Sequence, residues 1–266
     1  MDIRKWYNKY SIDCDIYYES ESTRKTYRYC VNTFLKHFKN EREPKNLKNE
    51  DIKKWLLSFK TINTRKQMLC GINSFYKLTV GMPKKIKSIP YPKKQKSLPK
   101  IIDSVFLENS INNINNLKHR SILSLGYGCA LRVSEVVNLK IQDIDSKRML
   151  IHIRNSKGGK DRYVKLSDNM LLLLRRYYKK FKPTSYLFNG QQSFKYTASS
   201  CNKLVKNYLG DQYHFHLLRH SGLTVMHENG VDIATLSKIA GHNSIKTTMI
   251  YTHISNNAIK NCFSPI

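Results

Sequence analysis

The stretch YHFHLLRHSG, residues 213–222, sets three histidines and an arginine within ten positions. Such a cluster reads in one of three ways: as a metal site, as buried and satisfied core, or as a cradle for an anion. The metal reading asks for the H-E-x-x-H arrangement of zinc metalloproteases. His216 and His220 have that spacing, but Leu217 stands where the glutamate belongs and no carboxylate lies within the cluster. The stretch therefore predicts no metal. A helix from about 216 to 229, ended by Asn229–Gly230, sorts the other two readings by face. Leu217, His220, Leu223 and Thr224 go to one face, which makes His220 a core histidine. His216 and Arg219 go to another, at the amino end, where free N–H groups and the helix dipole favour an anion. Arginine offers a two-pronged fork to phosphate oxygens, and histidine a hydrogen-bond donor or proton carrier.

The composition agrees with an anionic partner. The chain has 266 residues, a formal net charge of +28 and 17 tyrosines interleaved with the charge. This points to a polyanion, with nucleic acid ahead of an anionic membrane surface. No apolar run of about 18 residues is present, so no membrane span is expected. The opening residues, MDIRKWYNKYSIDCDIYYES, are polar and charged, unlike a secretory signal. Six scattered cysteines (Cys14, Cys30, Cys70, Cys129, Cys201, Cys262) form no C-x-x-C. That argues against a zinc ribbon or a disulfide framework, and a cytoplasmic setting is expected.

Residues 83–100, PKKIKSIPYPKKQKSLPK, hold four of the seven prolines and seven lysines with no acidic residue. Proline disfavours helix and lysine disfavours core, so the segment reads as an extended linker. It is either a solvated tether or a strap along phosphates. Residues 1–82 before it read as a helical module. Tyr27, Val31, Phe34, Leu35 and Phe38 fall at helical spacing behind a Ser22/Thr23 cap. Ile52, Trp55, Leu56 and Phe59 repeat the pattern behind Asn49, and Leu69, Ile72, Phe75 and Tyr76 do so again before Gly81. Residues 101–266 read as a larger unit, mainly α with a small antiparallel sheet. Helices are expected at 103–117, 119–130 and over VSEVVNL, and two strands around the turn SKGG.

Further pieces of an anion site lie in this unit. GCALRVSEV places Arg132 between two helices, where it binds an anion or merely pairs with Glu135. RNSKGGKDRYV puts Lys157 at a glycine-bearing hairpin tip, as a groove-reaching cation or a solvated lysine. IAGHNS places His242 just after a helix, and TTMIYTHI carries Tyr251 nine residues on.

In the order R–K–H-x-x-R–H–Y, the chain resembles the tyrosine recombinase (phage integrase) family. The matching segments are ALRVSEVVNLKIQDID, SKGGKDRYVKL, HFHLLRHSGLTVMHENG and LSKIAGHNSIKTTMIYTHI. The likeness spans about residues 100–255, and residues 1–82 look like the family's core-binding domain. One departure stands out: Cys129-Ala130 occupies the place where the family usually has Thr-Gly.

The resemblance implies a site-specific recombinase acting on double-stranded DNA through a 3′-phosphotyrosyl intermediate, as a homotetramer on its site. It implies that Arg132, Lys157, His216, Arg219 and His242 surround the scissile phosphate and that Tyr251 is the nucleophile. His216 is then the expected proton acceptor and Lys157 the expected proton donor, with no cofactor and no metal. Within this chemistry the runner-up is a type IB topoisomerase; a decayed integrase that only binds DNA is the other alternative. The tail after Tyr251, with Ile254, Ile259 and Phe263, is expected to dock on a neighbouring subunit.

Overall fold

The computed structural model describes residues 1–93, 100–154, 161–191 and 193–252. The turn SKGG with Lys157, the later part of the expected linker, and the tail with His253 lie outside the described residues. The chain divides into two compact units, Met1–Lys96 and Ser97–Ile266.

Among its described residues the first unit holds four α-helices: α1 (Ile3–Tyr17), α2 (Glu21–His37), α3 (Asn49–Leu57) and α4 (Ile62–Phe75). Side-chain oxygens of Asp2, Ser20 and Thr61 accept backbone N–H groups at the starts of α1, α2 and α4. The expected caps move accordingly. Ser20 caps α2 in place of Ser22/Thr23, and Asn49 is the first residue of α3, where its amide donates to the Lys85 carbonyl and Ser88 Oγ. α4 runs into a π-helical turn, Tyr76–Val80, closed by Gly81 in the left-handed region at φ 76°. The aromatic stripes meet inside: Phe34 stands edge-on to Trp55 at 5.3 Å, and Tyr10 to Phe75 at 5.6 Å. Tyr10 keeps its hydroxyl satisfied on Ser74, and Tyr76 donates to the Pro44 carbonyl.

The expected linker does not begin at residue 83. Ile86 and Ile89 are buried in the first unit's core around a 3₁₀ turn, Ile86–Ser88. Proline excludes a long helix here but not a single turn, and the two isoleucines supply apolar surface that the lysine count obscures.

The second unit is mainly helical: α5 (Ser104–Asn112), α6 (Leu117–Gly128), α7 (Val133–Asn138), α8 (Asp168–Phe181), α9 (Ala198–Leu209), α10 (Phe215–Glu228), α11 (Ile233–Ala240) and α12 (Ile245–Thr248). An antiparallel sheet, β1 (Ile144–Asp145), β2 (Leu150–Ile153) and β3 (Arg162–Lys165), lies between α7 and α8 in sequence. β2 alternates as its sequence predicts: Ile151 and Ile153 are buried, while His152 pairs across to Tyr163 and stacks on its ring. α6 is the central helix, packed against α8, α9 and α10.

α10 carries the histidine–arginine cluster, so its seating on α6 decides where the cluster points. The two helices approach at Gly222. A Cβ there would lie 2.1 Å from the Tyr127 carbonyl oxygen, a backbone atom that cannot swing aside. Ser221, next to it, accepts the backbone N–H of Ile102 at 2.8 Å and so ties the unit's first strand of chain to α10. Gly222→Ala is expected to destabilise the protein by about 1–3 kcal/mol through overpacking. Gly128→Ala, whose added carbon would meet only Met170 Cε at 3.7 Å, is the control and should shift the urea midpoint far less. Equal midpoints for the two variants would refute the close approach at Gly222.

Candidate active site

Arg132 sits where α6 gives way to α7. Ala130, in the turn, takes a left-handed conformation at φ 50°, and Arg132 follows as the N-cap of α7. Its Nη1 donates to Glu135 Oε1 at 2.8 Å and its Nη2 to the Gly241 carbonyl at 2.9 Å. Its backbone N–H donates to Glu135 Oε2 at 2.8 Å. Arg132 thus pairs with Glu135, and its side chain keeps 20 % exposure.

Arg219, in the second turn of α10, is only 1 % exposed. Its Nη1 donates to the Ala130 carbonyl at 2.7 Å, and its Nη2 donates to the Ala240 carbonyl at 2.5 Å and to His242 Nε2 at 3.2 Å. A guanidinium only donates, so His242 accepts at Nε2 and must carry its proton on Nδ1, which donates to Thr248 Oγ1 at 2.9 Å.

Arg162 on β3 was not among the residues expected at the site. It donates to both carboxylate oxygens of Glu135, at 2.7 and 2.8 Å, and from Nε to the Ile239 carbonyl at 2.7 Å. A signal was present: side chains two apart on a strand share a face, and Val164 is a core residue. An arginine on the inward face of a strand calls for a buried partner.

Glu135 thus meets Arg132, Arg162 and, at 4.0 Å, Arg219. Burial pushes its carboxyl up, but the hydrogen bonds and charges of Arg162, with those of Arg132, outweigh burial and hold it at about 2. Arg219 is lowered to about 10 by burial and by Arg132, and stays charged at neutral pH.

Tyr251 ends a 3₁₀ turn, Met249–Tyr251, and is fully buried among Ala130, Leu223, Leu236 and Ala240. Its hydroxyl lies 2.9 Å from His220 Nδ1. The His220 ring meets the His216 ring edge-on, with centroids 4.4 Å apart. This corrects the division of α10 into a core face and a chemical face. Residues three and four apart on a helix are neighbours, so His216, Arg219 and His220 belong to one face. Sequence reasoning passed over His220 because its partner lies 31 residues further on.

Burial, His216 and Arg219 lower His220 to about 4; burial, Arg219 and Arg132 lower His242 to about 4. Burial lifts Tyr251 to about 12 against the pull of Arg219 and Arg132. The structure therefore brings five of the six expected residues together: Arg132, His216, Arg219, His242 and Tyr251. Lys157 lies outside the described residues. The assembly is a cationic cluster beside a neutral phenol and neutral imidazoles, a set of groups that can bind an anion and offer it a hydroxyl. Among the described residues, no group of three or more His, Cys, Asp or Glu side chains is placed to hold a metal ion.

Residues 98–258 match the phage integrase family, and residues 6–86 match the phage integrase N-terminal SAM-like domain. The tyrosine recombinase XerA of Pyrococcus horikoshii is 34% identical over 207 residues, covering 75% of this chain and 72% of its own. A putative integrase/recombinase of Sinorhizobium fredii, y4qK, is 32% identical over 260 residues, covering 92% and 83%. Among solved structures, the XerH recombinase in a post-cleavage complex with palindromic difH substrate matches with a TM-score of 0.75 at 20% identity, covering 89% of this chain and 78% of that one. A lambda integrase dimer bound to a COC′ core site matches at 0.76 with 12% identity, covering 93% and 97%. At these identities the two structures speak for the fold alone.

The depressed Glu135 carboxyl has a measurable consequence. A group held at about 2 when folded, against 4.5 otherwise, contributes stability above pH 4.5 that is lost as pH falls towards 2. The shift is worth about 3 kcal/mol. Glu135→Gln is expected to unfold at lower urea and to show a flatter loss of stability between pH 5 and pH 2. A Glu135→Gln profile parallel to the wild type would show that the carboxyl is not depressed.

Proposed function

The chain belongs to the phage integrase family, the tyrosine recombinases, and on that premise we propose that it cleaves and rejoins duplex DNA at a specific site through Tyr251. The observation that carries this reading is the convergence of Arg132, Arg219, His242 and Tyr251 on one pocket from four separate segments of the chain. A phosphodiester resists attack because its negative oxygens repel nucleophiles. Arg132 and Arg219 hold the two non-bridging oxygens and stabilise the charge that grows in the pentacoordinate transition state, with His216 and His242 beside them. His242 accepts from Arg219 at Nε2 in the free protein, so donating to phosphate from that nitrogen requires a second proton. The anion's own charge favours that proton.

Attack by Tyr251 forms a 3′-phosphotyrosyl bond and releases a 5′-hydroxyl, which leaves poorly unless protonated. Lys157 donates that proton. The covalent link conserves the energy of the phosphodiester, so resealing needs no nucleotide cofactor. A second strand's 5′-hydroxyl completes exchange. Exchanging four strands takes four active sites, which assigns a homotetramer on two DNA sites, working on DNA in the cytoplasm. A topoisomerase would reseal the same strand, and a decayed integrase would lack the assembled pocket.

Tyr251→Phe removes one hydroxyl. DNA binding should persist while the denaturant-resistant DNA adduct disappears, and sequencing the DNA trapped by the wild-type protein gives the target site. An adduct that survives Tyr251→Phe sinks the assignment. Lys157→Ala should slow cleavage by about 10²–10⁴, the usual worth of general acid catalysis. Replacing the bridging 5′-oxygen by sulfur should rescue it, because a thiolate leaves without a proton. Arg132→Ala and Arg219→Ala should gain nothing from sulfur. Rescue of either arginine variant would take the proton donor away from Lys157.

The linker lysines give a separate measurement. Lys85 already donates to the Lys45 carbonyl at 2.6 Å and is lowered by burial, so it is a poor phosphate contact. Changing Lys84, Lys87, Lys93, Lys94 and Lys96 to Gln should lower the salt slope of DNA affinity by about 0.9 per lost contact. An unchanged slope would mark the segment as a tether.

A further inference from the structure

We propose that His220 is the catalytic residue that accepts the phenolic proton of Tyr251, and that His216 serves the phosphate instead. The inference rests on the reading of Tyr251 as nucleophile. Among the described residues, His220 Nδ1 is the one hydrogen-bond partner of the Tyr251 hydroxyl, at 2.9 Å. His216 reaches that hydroxyl with neither ring nitrogen; its contact is with the His220 ring. The two histidines also differ in setting. His216 is exposed, whereas His220 is half-buried between His216 and the enclosed tyrosine. An incoming phosphate meets His216 from solvent, while His220 already holds the atom that must lose a proton.

The protonation states agree with this assignment. Both partners are neutral at pH 7, since burial drives imidazole and phenol away from their charged forms. A neutral imidazole that accepts at Nδ1 carries its hydrogen on Nε2, and the phenol donates. The free protein therefore keeps the proton on oxygen. A bound phosphodiester offsets the charge of Arg219, one of the groups that hold His220 down. The substrate itself thus raises the basicity of its acceptor. In the step, the Oη–P bond forms as the Oη–H proton passes to His220 Nδ1. The P–O5′ bond breaks, and the departing oxygen takes its proton from Lys157. Rejoining runs the same transfers backwards, with His220 returning the proton to the tyrosine.

Asparagine places its side-chain oxygen near the position of Nδ1 and so keeps an acceptor for the hydroxyl, but it cannot take up a proton. His220→Asn and His216→Asn are compared in single-turnover cleavage of a nicked duplex carrying the sequence recovered from trapped adducts. His220→Asn should cleave about 10²–10⁴ more slowly with DNA binding retained. Placing 3,5-difluorotyrosine, a more acidic phenol, at position 251 should recover about tenfold or more of that loss and none of the His216→Asn loss. Wild-type cleavage by His220→Asn, or fluorotyrosine rescue confined to His216→Asn, overturns the proposal. A DNA-free arm uses the full chain labelled with ¹⁵N-histidine. Tyr251→Phe should move the His220 Nδ1 resonance to that of an unbonded acceptor, and finding Nδ1 protonated in the wild type overturns the proposal as well. An adduct that persists in Tyr251→Phe counts against the nucleophile; full activity of His220→Asn with Tyr251→Phe inactive counts against the histidine alone.

Discussion

Glu135 stands among three guanidiniums with 8 % of its surface exposed, and the arrangement of the whole pocket follows from how that charge is balanced. Three arginines against one carboxylate leave two positive charges uncompensated. Each buried ion without a partner costs several kcal/mol. The fold answers with main-chain oxygens. The carbonyls of Ile239, Ala240 and Gly241 at the end of α11, and that of Ala130 just past α6, accept from Arg162, Arg219, Arg132 and Arg219 respectively. Carbonyls at helix ends lack partners within the helix and carry the negative end of its dipole. The arginines satisfy those carbonyls, and the carbonyls disperse the arginine charge, so α6, α7, α11 and β3 are fastened around one point.

This balance is incomplete by design of the cluster, and the shortfall has the right sign for a phosphodiester. A site neutralised by more carboxylates would be more comfortable when empty and weaker towards an anion. Burial, reinforced by the same cationic excess, keeps the neighbouring histidines neutral, which leaves their lone pairs free to accept. Arg219 and Tyr251 are both buried before substrate arrives, so neither wanders among rotamers. In the roles proposed for them, orientation is set by packing rather than by binding, which lowers the entropy that the reaction must otherwise overcome.

Much of this was legible in the sequence, and the parts that were not have physical reasons. The α10 helix with its Asn229–Gly230 end, the β2–β3 strands and the aromatic stripes of α2, α3 and α4 follow from periodicity, and all appear. α1 escaped notice because Arg4, Lys5, Asn8, Lys9 and the acidic residues hide a stripe of Ile3, Trp6, Tyr7, Tyr10 and Cys14. The five residues that the fold brings together were readable because the motif order is carried by short local segments. Arg162 was hidden among 47 lysines and arginines, where one more cation on a hairpin carries no signal until strand alternation is applied. His220 looked like core because half of its environment is core. Its other half, the Tyr251 hydroxyl, is supplied by tertiary folding.

The replacement of Thr-Gly by Cys129-Ala130 can be weighed in the same terms. Ala130 holds φ at 50°, and a left-handed conformation costs a residue with a Cβ roughly 1–2 kcal/mol. Glycine would avoid that cost but would lose about 0.4–1 kcal/mol through the greater freedom of its unfolded chain. It would also forgo a buried methyl worth about 0.8 kcal/mol. The opposing contributions nearly cancel, so alanine is tolerated at a position whose backbone conformation favours glycine. The methyl is not idle: Ala130 is fully buried in the cluster that encloses the Tyr251 ring, while its carbonyl receives Arg219 Nη1. One strained residue thereby touches both the enclosure of Tyr251 and the Arg219 guanidinium, and keeping its geometry matters more to the cluster than which of the two small residues provides it.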